Sequence, residues 1–170
     1  LKGTIAKNLE EAVCDSDVIV ASVSAAKAVY IPDQWLKQGS LLILNNEVQL
    51  DESYLLNSNI VFDNTKMHKA YMDDCHMNPS GALEAYKKYI AGQVYTAMEL
   101  KKLPPIEQQT SLGDIVADSS LGRSDENQRF VVFTSSMAVE DIAWGYTVYE
   151  QAAKMNLGTK LVLWDEPHWS

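Results

Sequence analysis

Basic residues are scarce in this chain: 14 Lys and Arg stand against 23 Asp and Glu, a net charge of −9. They form no run, so the cationic face that neutralises phosphates in nucleic-acid binders is missing. The same deficit argues against docking on anionic lipid. No apolar stretch reaches the roughly 18 residues needed to span a bilayer, and no signal-peptide pattern is present. Cysteine is nearly absent. Cys14 and Cys75 lie far apart in no paired motif, and read as reduced thiols of a cytoplasmic protein. Glycine is scattered so that no Gly-x-Gly occurs, which excludes the tight pyrophosphate-binding turn of a dinucleotide fold from these residues. Tight hairpin signals such as Asn-Gly are missing too.

What is there suits one ordinary domain: 170 residues, 46% of them apolar, are enough for a real core. Short apolar runs alternate with helical patterns, the mark of an α/β layer fold. Residues 18–23 (VIVASV), 41–44 (LLIL), 60–62 (IVF) and 130–133 (FVVF) read as strands buried on both faces. Thr4-Ile5-Ala6 reads as a strand already under way. With Leu1 rather than Met in front, this predicts an excised domain, a processed chain or an incompletely represented one. Asn8 is placed to cap a helix with Glu10 and Glu11 in its first turn. One long helix is predicted over about 80–102, with a stripe of Leu83, Tyr86, Ile90, Val94 and Ala97, stopped by Pro104-Pro105. A second is predicted over about 137–156, with Gly158 at the place of a left-handed cap. Residues 159–164 read as a final strand, and 64–79 as a polar, irregular excursion.

Strands joined by helices or long excursions predict a mostly parallel sheet. Ligands gather beyond the C-terminal ends of such strands. That rule nominates Ser22-Val23-Ser24, Asn45-Asn46-Glu47 and Thr134-Ser135-Ser136 as one rim. His68, Asp73, Asp74, Cys75 and His76 have the side chains for zinc but no standard spacing, so no metal is expected and a polar excursion over the cleft is the plainer reading. The tail 164–169 (WDEPHW) carries two Trp residues, expected to pack on another domain or a partner.

Several segments, in order, resemble the ornithine cyclodeaminase/mu-crystallin family. Residues 9–13 (LEEAV) and 15–24 (DSDVIVASVS) look like its "EEAV..ADVIVTATSS". Residues 35–39 (WLKQG) look like "WLKPG", 50–56 (LDESYLL) like "ELD..LL", and 111–116 (SLGDIV) like "ELGELV". Gly122-Arg123 matches a "GR", and 133–158 resembles "FKSVGLAIEDLAAA..VYE.A...GIG". The resemblance implies a partial Rossmann-like, mostly parallel sheet with flanking helices, entered at its third strand. It assigns residues 1–136 to the C-terminal part of a dinucleotide-binding domain. Residues 137–170 would be a connecting helix and strand that return to a substrate and dimerisation domain outside this sequence.

It further implies NAD or NADP as cofactor, a small amino-acid or imino-acid substrate, and a homodimer when complete. The expected chemistry is ornithine cyclodeaminase-like deamination, amino-acid dehydrogenation or ketimine reduction. Ser22, Val23, Ser24 and Asn45 would lie near the ribose and nicotinamide. Ser135, Ser136 and Met137 would form the turn that meets the nicotinamide, although Ser135 or Ser136 could equally serve as a plain helix cap. Glu47 aligns with the family's acid/base Asp, in a "VGGD" context. This chain has Asn-Asn for that Gly-Gly, a shorter loop after it, and Ser-Met for Val-Gly in the later turn. Those departures leave a second reading open, a non-catalytic ligand-binding or storage protein on the mu-crystallin scaffold.

Overall fold

The computed structural model describes residues 3–23, 27–135 and 137–161. They divide into two compact units, residues 1–135 and 136–170. The first opens on α1 (Leu9–Val13), where the Asn8 side chain accepts the Glu11 N–H at 2.8 Å, as its place before two acids predicts. Then come β1 (Val18–Ala21), β2 (Val29–Ile31), β3 (Leu41–Leu44), β4 (Val48–Leu50), α2 (Glu52–Leu56) and β5 (Asn59–Phe62). The unit continues through α3 (Thr65–His76), α4 (Ala82–Tyr86), α5 (Gly92–Glu99), β6 (Thr110–Ser111), α6 (Leu112–Ala117) and β7 (Phe130–Phe133). The second unit holds α7 (Ala138–Lys154).

Five strands form one sheet in the order β1-β3-β7-β5-β6, and every pairing in it is parallel. β2 and β4 make a separate parallel pair. The four apolar runs read from the sequence correspond to β1, β3, β5 and β7, but β1 stops at Ala21 and, as an edge strand, leaves Val18 and Val20 exposed instead of burying both faces. Alternate side chains divide the sheet into two faces. Ile19, Leu42, Val131 and Phe62 face the larger core, together with Tyr54 of α2 and Tyr86, Val94 and Tyr95 from α4 and α5. Val61, Phe130 and Val132 face a smaller cluster, joined by Ile115 of α6. Each fully buried apolar side chain contributes about 1.5–3 kcal/mol. β7 is buried along its whole length, as a central strand should be.

Five local expectations change. Thr4–Ala6 is not a strand: Ile5 is 99% exposed, with no neighbour to pair with among the described residues. The long helix over 80–102 is two helices. Gly92 stands so close to Tyr86 that an added Cβ would lie 2.1 Å from the Tyr86 carbonyl oxygen, and turn bonds from Tyr89 N–H to Tyr86 and from Gly92 N–H to Tyr89 replace the helical ladder. The stripe therefore breaks, and Leu83 is exposed while Val94 is buried. The supposedly irregular 64–79 segment contains α3. Asn64 caps it by accepting from Lys66 N–H and Met67 N–H, and His68, Met72 and Cys75 give it a buried stripe at helical spacing. Within the second unit, α7 ends on a left-handed Asn156 (φ 53), with Leu157 N–H reaching back to the Ala152 carbonyl. Gly158 is also left-handed but lies beyond that cap. No strand is formed over 159–161; residues 162–164 and the Trp-containing tail lie outside the described residues. No helix among the described residues is long and apolar enough to cross a membrane.

Candidate functional site

Register builds one polar edge. Ala21 pairs with Leu44, Leu44 with Phe133 and Phe133 with Phe62. Ser22, Asn45, Thr134 and Asp63 therefore leave their strands side by side. The ladder runs one step further than the strands: Asn45 N–H donates to Ala21 (2.9 Å), Thr134 N–H to Leu44 (3.1 Å) and Asp63 N–H to Phe133 (2.9 Å). Thr134 Oγ1 donates to the Asn45 side-chain oxygen, tying two corners together. Ser22 and Val23 are exposed at the β1 corner. Ser24 and Ser136 lie outside the described residues. Met137 is the N-cap residue of α7 and belongs to the second unit.

Beneath the edge lies a buried polar cluster. Asp63 Oδ1 accepts the Asn64 N–H (2.7 Å) and faces His68 Nε2 at 2.9 Å. Its Oδ2 accepts the Ser135 N–H at 2.5 Å. His68 Nδ1 meets the Tyr95 hydroxyl, and Ser135 Oγ lies 3.1 Å from His68 Nε2. His68 is 1% exposed. Burial pushes its imidazole below the ordinary value of 6.5, and the opposing pull of Asp63 does not offset it. The His68–Asp63 contact is thus a hydrogen bond from a neutral ring to a carboxylate, not an ion pair. Burial likewise holds Tyr95 far above the usual tyrosine range, so it keeps its proton.

Glu47 stands apart from this cluster. It is exposed, and no hydrogen-bond or ion-pair partner reaches its carboxylate among the described residues. It borders a crevice of about 340 Å³ with Lys87, Gln93 and Thr96, which includes none of Ser22, Asn45 or Ser135. A larger depression of about 730 Å³ between α3, α5 and the segment after it is open to solvent. Its Lys69 is already held by Asp73 at 2.7 Å, so the sheet edge is the better candidate.

The residues considered for zinc separate. His68 points into the core. His76 lies on the surface with Glu99 (2.9 Å), whose carboxyl is lowered by hydrogen bonds from His76 and then Tyr86. Among the described residues no three His, Cys, Asp or Glu side chains are placed to hold a metal ion. Asp63 and Tyr95 escaped the sequence reading. The rule that nominated the other corners, applied to β5, would have found Asp63. Tyr95 carries no such signal.

A family model described as ornithine cyclodeaminase/mu-crystallin family matches residues 3–156. N-((2S)-2-amino-2-carboxyethyl)-L-glutamate dehydrogenase of Staphylococcus aureus is 25% identical over 93% of this chain and 41% of its own length. Among solved structures, an archaeal alanine dehydrogenase dimer with bound NAD superposes with a TM-score of 0.59 at 19% identity, covering 93% of this chain and 44% of that one. The iminosuccinate reductase of Paracoccus denitrificans in complex with NAD+ superposes with a TM-score of 0.58 at 16% identity, covering 92% and 43%. The chain thus spans about two-fifths of the curated relative's length.

Proposed function

The chain belongs to the ornithine cyclodeaminase/mu-crystallin family, and from that membership we propose that it supplies the nicotinamide end of an NAD- or NADP-dependent enzyme working at a carbon–nitrogen bond. The substrate class is a small amino acid or imino acid. The reaction is dehydrogenation, imine reduction or cyclodeamination. The observation that carries this reading is the register row Ala21–Leu44–Phe133–Phe62, which gathers four polar corners on one edge.

The chemistry of that edge fits one end of a dinucleotide. Ser22, Asn45, Thr134 and Ser135 are neutral hydrogen-bonding groups, and no Lys or Arg lies among residues 22–23, 45–47 or 134–135. Such an edge suits an uncharged ribose and nicotinamide and is poorly suited to a pyrophosphate. In this reading Ser22, Val23, Asn45 and Ser135 of the first unit hold the cofactor. The nicotinamide supplies a hydride acceptor or donor. Glu47, two residues beyond Asn45, takes up or returns the proton of the substrate nitrogen; it borders a neighbouring crevice, and its carboxylate has no partner among the described residues and so is available for that task.

The test is kinetic. Glu47→Gln in the intact protein is expected to lower kcat about 10²- to 10⁴-fold, with a much smaller change in the KM for cofactor. Unchanged turnover across pH removes Glu47 from the mechanism. Titration with NADH and NADPH, followed by nucleotide fluorescence, tests the cofactor itself. A protein that binds neither is a ligand-binding or storage member of the scaffold instead.

A further inference from the structure

We propose that His68 is a positioning residue: held between Asp63 and Tyr95 as the tautomer protonated at Nε2, it leaves the Ser135 hydroxyl the role of hydrogen-bond donor to an acceptor oxygen of a ligand at the sheet edge. Hydrogen-bond inventory carries the argument. The Asp63 carboxylate already receives two peptide N–H groups, from Asn64 and Ser135. A carboxylate only accepts, so the ring nitrogen 2.9 Å away must carry a hydrogen. His68 Nε2 is therefore the N–H, and Nδ1 is the acceptor for the Tyr95 O–H. The opposite tautomer would face a bare nitrogen lone pair toward a buried carboxylate, and an unmatched polar pair in such a site is costly.

The consequence falls on Ser135. Its Oγ lies 3.1 Å from a nitrogen that already bears hydrogen, so it can accept there but not donate. Among the described residues, no other acceptor is bonded to that hydroxyl hydrogen. Its N–H is fixed on Asp63, so the backbone of the corner is pinned and the hydroxyl is left as an outward donor. Thr134, one residue earlier, does not share this property, because its hydroxyl is occupied by Asn45. The inference rests on the cofactor reading of the edge for the identity of the ligand, but the ring tautomer stands independently.

The experiment has two arms. Nitrogen-15 NMR of the histidine rings in the intact protein at neutral pH is expected to show His68 protonated at Nε2 with Nδ1 unprotonated. A ring protonated at Nδ1, or at both nitrogens, overturns the proposal. In the second arm NADH affinity is measured. Ser135→Ala is expected to weaken binding about tenfold, the loss of one hydrogen bond. His68→Phe should match that loss, and the double variant should be no weaker than Ser135→Ala alone. His68→Gln, whose amide can still donate toward Asp63, should stay within about threefold of wild type, and it serves if the Phe variant does not fold. Undiminished affinity in Ser135→Ala, or losses that add in the double variant, overturns the proposal. If the wild-type protein binds neither NADH nor NADPH, the cofactor reading fails and the NMR result alone decides the role of His68.

Discussion

A single carboxylate, Asp63, receives the N–H groups of Asn64 and Ser135 and the ring of His68. With a neutral ring buried beside it, folding is linked to pH with a definite sign. His68 takes up a proton near 6.5 when unfolded and only at lower pH when folded. Between those values the unfolded chain holds the extra proton. The stabilisation is therefore complete above about pH 6.5 and declines as pH falls toward the folded value. We expect the urea midpoint to drop as pH falls below about 6.5, and His68→Gln to flatten that part of the profile. A midpoint that rises on acidification would contradict a neutral buried imidazole. Not all of this was legible beforehand. Ser22, Asn45 and Thr134 could be nominated because each directly follows an apolar run, and parallel strands end together. His68 was visible only as one member of a polar cluster with Asp73, Asp74, Cys75 and His76. Its real partners come from the end of β5, from β7 and from α5, and side chains so far apart in sequence announce no pairing.

Elements show the same division between pattern and packing. Gly92 sits where α5 begins, pressed against the Tyr86 carbonyl that closes α4. Gly92→Ala is expected to cost about 1–3 kcal/mol, because the contact is with backbone and neither helix can move without disturbing the aromatic group they bury. Tyr86 and Tyr95 meet there with ring centroids 5.5 Å apart. Urea unfolding checks this: a loss below about 0.5 kcal/mol would mean the helix pair yields easily. Periodicity alone predicted one uninterrupted helix here, since the apolar spacing carries across the turn at Lys87–Ala91. It missed α3 for the converse reason. That helix is mostly polar, and only His68, Met72 and Cys75 face inward. The strands were clear because β1, β3 and β7 are apolar throughout and β5 is apolar after Asn59, whereas Thr4–Ala6 shows that a short β-rich triplet does not form a strand without a neighbour.

At the scale of the whole first unit, the sheet is covered unequally. One face meets the large core, while the other has α6 and a small cluster near β5 and β7. At β1 the contrast is plain: Ile19 is 8% exposed and Val20 59%. Ile19→Ala should cost about 2–4 kcal/mol, whereas Val20→Thr should fall within about 0.5 kcal/mol of wild type. Equal losses would mean that the second face is covered in the folded protein. The aligned strand ends carry a different implication, for how such a protein changes over generations. Hydrophobic residues behind the edge determine where each loop begins, and the loops themselves contribute little to that frame. Corner residues can then be exchanged, lengthened or lost while the points from which they project stay put. Asn45 and Glu47, exposed just past the end of β3, stand at one such corner. New surface chemistry can thus arise by editing a few exposed positions, without the refolding risk that usually accompanies innovation.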